Sequence, residues 1–368
     1  ISHENIVCIS IVDILDGVLK LLSALLLINY SDDKLLLYIH LMLAINVLNL
    51  IIFSIYGGAN YKECCFPTFK LFDKTYVKEL LSFAGWTIYG FICIVGRNQG
   101  IVIIINKIFG VIVNAAYGIA IQVNGNLLFL SQSLLNAMNP QIVKSEGIGN
   151  REKMLRLAEV ESKFAFLLLS MIAIPLFFEI DVILAIWLKD VPEYAALFCR
   201  FILVASVIDQ LTIGLGTANQ AIGRIRSYSL IVNSLKLFTI VPTIILVYST
   251  KSPYSVLFFF VVMEFVSMVV RLFFLHKITG LSIVGYCKRV FLKEIIPILT
   301  LVGISLCVNL CIQVPYRVIL NFSLSIIVYL FSIYYFALCD DEKLVANKLI
   351  KYIKNKLSNS FGVRNKVD

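Results

Sequence analysis

Charge and histidine are scarce in this chain. Only 15% of its 368 residues are charged, and three are histidines. None of His3, His40 and His276 lies well inside an apolar run beside a nucleophile, so the proton-transfer base that a membrane-embedded acyltransferase needs is missing. The long external loop with acidic residues expected of a membrane glycosyltransferase or polymerase is missing as well. No glycine-rich loop for cradling ATP phosphates occurs, so any energy input must come from an ion or substrate gradient. Nine cysteines are an odd number. Cys8, Cys93, Cys199, Cys307, Cys311 and Cys339 sit in apolar runs as small hydrophobes, and Cys64 and Cys65 are adjacent without metal-ligand spacing. No disulfide, metal or cofactor is assigned. The chain opens on Ile1 without a basic leader, a small-residue cleavage site or a twin-arginine signal, and is expected to lack its natural N-terminus.

What is present is apolar length. Hydrophobic residues make up 60% of the chain, and the mean hydropathy is +0.90. Apolar runs long enough to cross ~30 Å as helices recur from end to end, whereas the ten-residue alternation of a membrane barrel does not. The fold class is therefore an all-α polytopic membrane protein. About ten crossings are expected, near 6–28, 35–56, 80–107, 112–138, 160–186, 195–217, 228–248, 254–275, 295–313 and 318–338. Segment 57–79, with Lys62, Lys70, Lys74, Lys78 and Pro67, reads as a polar linker, and the run 112–138 is expected to end at Asn139-Pro140.

Lys and Arg concentrate in alternate loops. One set holds the linker lysines, then Lys144, Arg151, Lys153 and Arg156, then Arg224 and Arg226, then Lys277, Lys288, Arg289 and Lys293, and the tail; the other holds Lys34, Lys189, Lys251 and Arg317. The positive-inside tendency then makes both ends cytoplasmic. Within the tail 340–368, residues Ala346, Leu349, Ile350, Ile353 and Leu357 alternate at helical spacing with Lys348, Lys351, Lys354 and Lys356, which fits a basic amphipathic helix on anionic lipid. The alternative is a solvated tail. Nothing points to nucleic acid.

Gly96-Arg97-Asn98-Gln99-Gly100 places a guanidinium near mid-depth of a crossing. An Arg there costs about 2.5–3.5 kcal/mol on insertion scales, so it faces a cavity or a partner. Trp86, Gly90 and Cys93 fall within about 40° of it around a helix, and such a face suits a phosphate held by the guanidinium fork with a ring over a sugar or isoprenoid. The alternative is a packing pair with a carboxylate, for which Asp209 and Glu264 are candidates; Glu264 shares a helical face with Arg271. The next crossing offers Asn114, Gly118, Gln122, Gly125, Asn126, Gln132, Ser133 and Asn136, a stripe that either lines a hydrated cavity or bonds across a helix interface. In the first crossing Asp13, Asp16, Gly17 and Lys20 share a face. They are either a self-neutralised pair or an ion-coupling site.

The runs Glu79-Leu80-Leu81-Ser82-Phe83-Ala84-Gly85-Trp86, Gly96–Gly100, Asn114-Ala115-Ala116-Tyr117-Gly118-Ile119-Ala120 and Asn139-Pro140-Gln141-Ile142 resemble the O-antigen and polysaccharide flippases of the multidrug/oligosaccharidyl-lipid/polysaccharide exporter superfamily. Trp187-Leu188-Lys189-Asp190-Val191-Pro192-Glu193-Tyr194 and Gln220-Ala221-Ile222-Gly223-Arg224 look like later landmarks. The resemblance implies helices five to fourteen of a fourteen-helix, two-lobed fold. On it, 1–56 is the remnant of the first lobe, 57–79 the inter-lobe linker, 80–275 the six-helix second lobe, and 276–339 two additional helices. It also implies a flippase, not an enzyme, moving a lipid-linked oligosaccharide on undecaprenyl pyrophosphate across a bacterial inner membrane. Arg97, Trp86, Gly90, Asn114, Gln122, Asn126 and Asn136 would bind the substrate, with Asp13, Asp16, Asp209 and Glu264 as ion-coupling or charge partners. Polymerase and glycosyltransferases of the same pathway are the implied partners. A cation-coupled multidrug exporter of the same fold is the alternative, followed by a membrane polymerase or acyltransferase.

Overall fold

The computed structural model describes residues 6–28, 33–61, 73–312, 316–344, 347–348 and 351. The lysine-rich centre of the linker and most of the expected amphipathic tail helix lie outside the described residues. The elements are α1 (Ile6–Ile28), α2 (Lys34–Asn60), α3 (Lys74–Phe109), α4 (Val111–Gly147), α5 (Arg151–Trp187), α6 (Ala195–Gln210), α7 (Ile213–Ile222), α8 (Ile225–Tyr228), a π-helical turn (Ser229–Asn233), α9 (Ser234–Phe238), α10 (Ile240–Thr250), α11 (Pro253–Thr279), α12 (Ile283–Arg289), α13 (Phe291–Cys311), α14 (Arg317–Ser332) and a second π-helical turn (Ile333–Ala337). Eight helices are long and apolar enough to cross a membrane, or nine if α6 and α7, bent by 44°, count as one span. The chain is an all-α polytopic membrane protein. The remaining expected crossing, α1, is not among them: it carries Asp13, Asp16 and Lys20 in its middle.

Local chemistry sets the ends. Asp33 caps α2 by accepting from the Leu35 and Leu36 amides at 3.0 and 3.2 Å, and Asn150 caps α5 from Lys153 N at 3.0 Å. Gly110, at φ 84°, makes the turn between α3 and α4 that a side chain would strain. Pro253 opens α11, and Gly280, at φ 73°, closes it.

Pro140 does not end α4, contrary to the expectation. The helix runs on to Gly147 because Ile142, on the far side of the proline, is fully buried against Met154, Ala158, Leu215 and Ala218. That packing outweighs the backbone bond lost at one proline. At 1.5 Å per residue, α4 and α5, of 37 residues each, reach about 55 Å, well beyond a ~30 Å hydrocarbon core. The expected crossing 195–217 is likewise interrupted, at Leu211-Thr212, and 228–248 contains the π-helical turn.

The chain divides into two compact units, Ile1–Val77 and Lys78–Asp368. In the first, α1 packs on α2. Asp16 accepts from Asn49 Nδ2 at 2.8 Å and pairs with Lys20 at 2.6 Å, the self-neutralised arrangement, while Asp13 is exposed. In the second, one apolar core joins α3, α4, α5, α6, α10 and α11 around Ile101, Tyr117, Leu169, Phe198, Val247 and Leu257. Another, around Ile142, Met154, Leu215, Leu275 and Tyr286, ties the ends of α4, α5, α7 and α11 to α12. A third seats α13 and α14 on α5 through Phe166, Leu301 and Tyr329.

Candidate functional site

Arg97 is 6% exposed, and its side chain points into the second unit. Its Nη1 donates to Glu264 of α11, its Nε to Asn98 Oδ1 at 3.3 Å, and the guanidinium lies 4.4 Å from the Phe260 ring centre. The other Glu264 oxygen is 3.0 Å from Lys236 Nζ, on α9. Lys236 donates to Asp209 Oδ1 of α6 at 2.9 Å, and Arg271 Nη2, on the same α11 as Glu264, donates to that same oxygen at 2.6 Å. Arg97, Glu264, Lys236, Asp209 and Arg271 thus form one continuous chain across four helices, α3, α6, α9 and α11. Three cations meet two carboxylates, which leaves a formal surplus of one positive charge inside the apolar spans. The Arg271 Nε is buried and lacks a hydrogen-bond partner among the described residues.

This chain borders a cavity of about 370 Å³. Its polar wall is formed by Gln132 and Asn139 of α4, Asp209, Asn219 and Gln220, Asn233, Lys236 and Arg271, with Tyr228 and Gly90 alongside. The wall owes its shape to close helix approach. A Cβ at Gly90 would stand 2.3 Å from Asn233 Nδ2, and one at Gly100 would stand 2.6 Å from Ile240 Cδ1, so the glycines of α3 admit the α8–α10 span. The π-helical turn faces Gly90: Ser229 Oγ donates to the Trp86 carbonyl at 3.1 Å and accepts from Asn233 Nδ2 at 3.3 Å. Such turns widen the backbone locally and bring side chains to positions a regular helix does not offer.

Of the residues expected to bind substrate, Gly90 lies on the cavity wall, as does Asp209 from the expected charge partners. Arg97 and Glu264 sit behind the wall as each other's partners. Trp86 meets the Tyr89 ring edge at 5.8 Å and carries Arg226 at 5.2 Å, so that cation occupies the ring. Asn114 is half-buried, with its Oδ1 unpaired among the described residues; Gln122, Asn126 and Asn136 are exposed, and Asn136 accepts from Gln132 at 3.3 Å.

Lys236 is the member of the chain that sequence reasoning misses. The signal was available, since it is a lone cation within an apolar run, like Arg97. Ser131, buried and donating to Gln210, was masked by its more conspicuous neighbours Gln132 and Ser133. No cluster of three or more metal-ligating side chains occurs among the described residues. Compared with protein-family models, curated proteins and solved structures, the chain matches none.

Proposed function

We propose that the protein is a flippase carrying a lipid-linked oligosaccharide, joined through a pyrophosphate to a polyprenyl chain, across the bacterial inner membrane. The observation that carries this reading is the positive surplus of the Arg97–Glu264–Lys236–Asp209–Arg271 chain beside a cavity walled by amides. A surplus cation held inside apolar spans is costly, and a phosphate group offsets that cost through charge-assisted hydrogen bonds. Lys236 and Arg271 reach the cavity and make the direct contacts. Arg97 acts one step behind them by holding Glu264. Gln132, Asn139, Asn219, Gln220 and Asn233 present donors and acceptors suited to sugar hydroxyls.

The surplus positive charge disfavours the rival reading, a cavity for cationic drugs. No covalent bond changes in the proposed process. The substrate is held through a change of access between the two sides, in the alternating manner of repeat-built transporters. The test is complementation of a strain lacking the gene by the full-length gene. The wild type prevents build-up of lipid-linked repeat units on the cytoplasmic leaflet, and Arg271→Gln permits it. A deletion strain that accumulates none overturns the proposal.

A further inference from the structure

Glu161 of α5 is fully buried, and neither of its carboxyl oxygens has a hydrogen-bond partner among the described residues. It faces α7, the second half of the broken span. There a Cβ at Gly214 would lie 2.2 Å from the Ala158 carbonyl and 2.9 Å from Glu161 Oε2, so α7 is pressed directly onto the carboxyl group. Gly214 N donates to Ser162 Oγ at 3.0 Å, and Thr217 lies beside the carboxyl without hydrogen-bond geometry.

The charged groups of the surrounding elements are engaged elsewhere or equally unpaired. On α5, Glu159 is held by Arg289 at 2.6 and 2.7 Å and stands 3.6 Å from Arg156, and Lys163 pairs with Glu342. On α4, Glu146 takes Arg151 and Lys144 is exposed. On α6, Asp209 belongs to the ion chain and Arg200 pairs with Asp181. Arg317 of α14 binds Glu179, α7 carries no charge, and the Tyr286 hydroxyl of α12 donates to the Leu211 carbonyl. On α13, Glu294 is buried and also without a hydrogen-bond partner among the described residues, and Lys293 is half-buried. Among the described residues, no cation is paired with Glu161.

An ionised carboxylate without a partner costs far more in such a place than a neutral acid does. We infer that Glu161 is a proton-binding site that locks α7 onto α5: with α7 seated on it the carboxyl group holds the proton, and ionisation drives α7 away. The consequence reaches the cavity, because Ile213, Gly216, Thr217, Asn219 and Gln220 of α7 form part of its wall. The start of α7 is suited to move. Thr212, its N-cap, makes no side-chain capping bond, and its hydroxyl is buried without a hydrogen-bond partner among the described residues.

The test uses the full-length protein in detergent micelles, treated with dicyclohexylcarbodiimide, a reagent for protonated carboxyls in apolar sites, and read by peptide mass spectrometry. Glu161 is labelled at low pH, the labelled fraction falls as pH rises, and Glu159, ion-paired to Arg289, stays unlabelled. In parallel, the thermal midpoint of the wild type drops towards alkaline pH, and that drop is smaller in Glu161→Gln. Absence of label at any pH, or a pH dependence unchanged in Glu161→Gln, overturns the inference. Protection by sodium at constant pH assigns the site to a metal cation and overturns it as well. Neither readout involves the substrate, so their failure leaves the transport proposal standing, and the reverse holds too.

Discussion

The Lys236 ammonium stands 3.0 Å from a Glu264 carboxyl oxygen, and this one contact joins the Arg97–Glu264 pair to the Asp209–Arg271 pair. Without it, a neutral Arg97–Glu264 pair would sit apart from an Asp209 carboxylate shared by Lys236 and Arg271. With it, three cations share two carboxylates across four helices, and the surplus charge is a property of the whole chain.

Removing a carboxylate from that chain leaves cations unpaired. Glu264→Ala is expected to destabilise the protein by about 3–5 kcal/mol, the usual cost of breaking a buried pair. Arg97→Met in the same background recovers part of this, because the orphaned guanidinium goes with it. Thermal or denaturant unfolding in detergent checks both; equal stabilities for the wild type and Glu264→Ala would refute the pairing.

Two glycines separate flexible from rigid crowding. Gly90→Ala meets the end of the Asn233 side chain, and Gly214→Ala meets the Ala158 backbone carbonyl. Both overpack, by roughly 1–3 kcal/mol for an added methyl group in a tight interface. Asn233→Ala rescues the first. No side-chain truncation rescues the second, since the obstructing atom at 2.2 Å is backbone. A double-mutant series followed by thermal unfolding distinguishes the two cases.

Glu179 of α5 is fully buried and receives Arg317 at 2.9 and 3.1 Å and Asn321 at 3.0 Å from α14, with Asn309 Nδ2 of α13 at 3.5 Å. Arg317→Ala removes its only cation among the described residues and is expected to cost about 3–5 kcal/mol. The loss loosens the docking of α13 and α14 first. Limited proteolysis is therefore expected to cut this helix pair in the variant before the rest of the chain.

Orientation is testable by thiol labelling. After native thiols are blocked, a cysteine replacing Lys153 is expected to react only from the cytoplasmic side and one replacing Lys251 only from the outer side. Both positions are exposed. The reverse pattern would invert the topology derived from the loop charges.

The class of fold was legible in the sequence because apolar length is a local property. Most expected crossings coincide with helices to within a few residues. What was not legible depends on tertiary partners. Pro140 reads as a stop, but Ile142 is buried beyond it. Arg97 was identifiable as a lone cation, yet its partner came from α11, 167 residues away, and only packing chooses between Asp209 and Glu264. The polar stripe of α4 was read as one face, whereas the helix divides it: Gln132 turns to the cavity and Gln122 and Asn126 do not, while Asn139, read only as the end of the crossing, lines it too. Lys236 lay inside the expected crossing 228–248, and its role becomes visible only with Asp209 and Glu264 beside it. The π-helical turn at Ser229–Asn233 leaves no compositional signal at all.

The central claim is that the five-residue ion chain accepts a pyrophosphate through its surplus positive charge. Its most direct test is the Kd of full-length protein in detergent for a polyprenyl pyrophosphate, measured for the wild type, Arg271→Gln and Asp209→Asn. Arg271→Gln removes a cation and is expected to weaken binding by at least roughly tenfold, about 1.4 kcal/mol, while Asp209→Asn removes a carboxylate and strengthens it. Equal affinities in all three proteins, or changes of the same sign in both variants, would contradict the account.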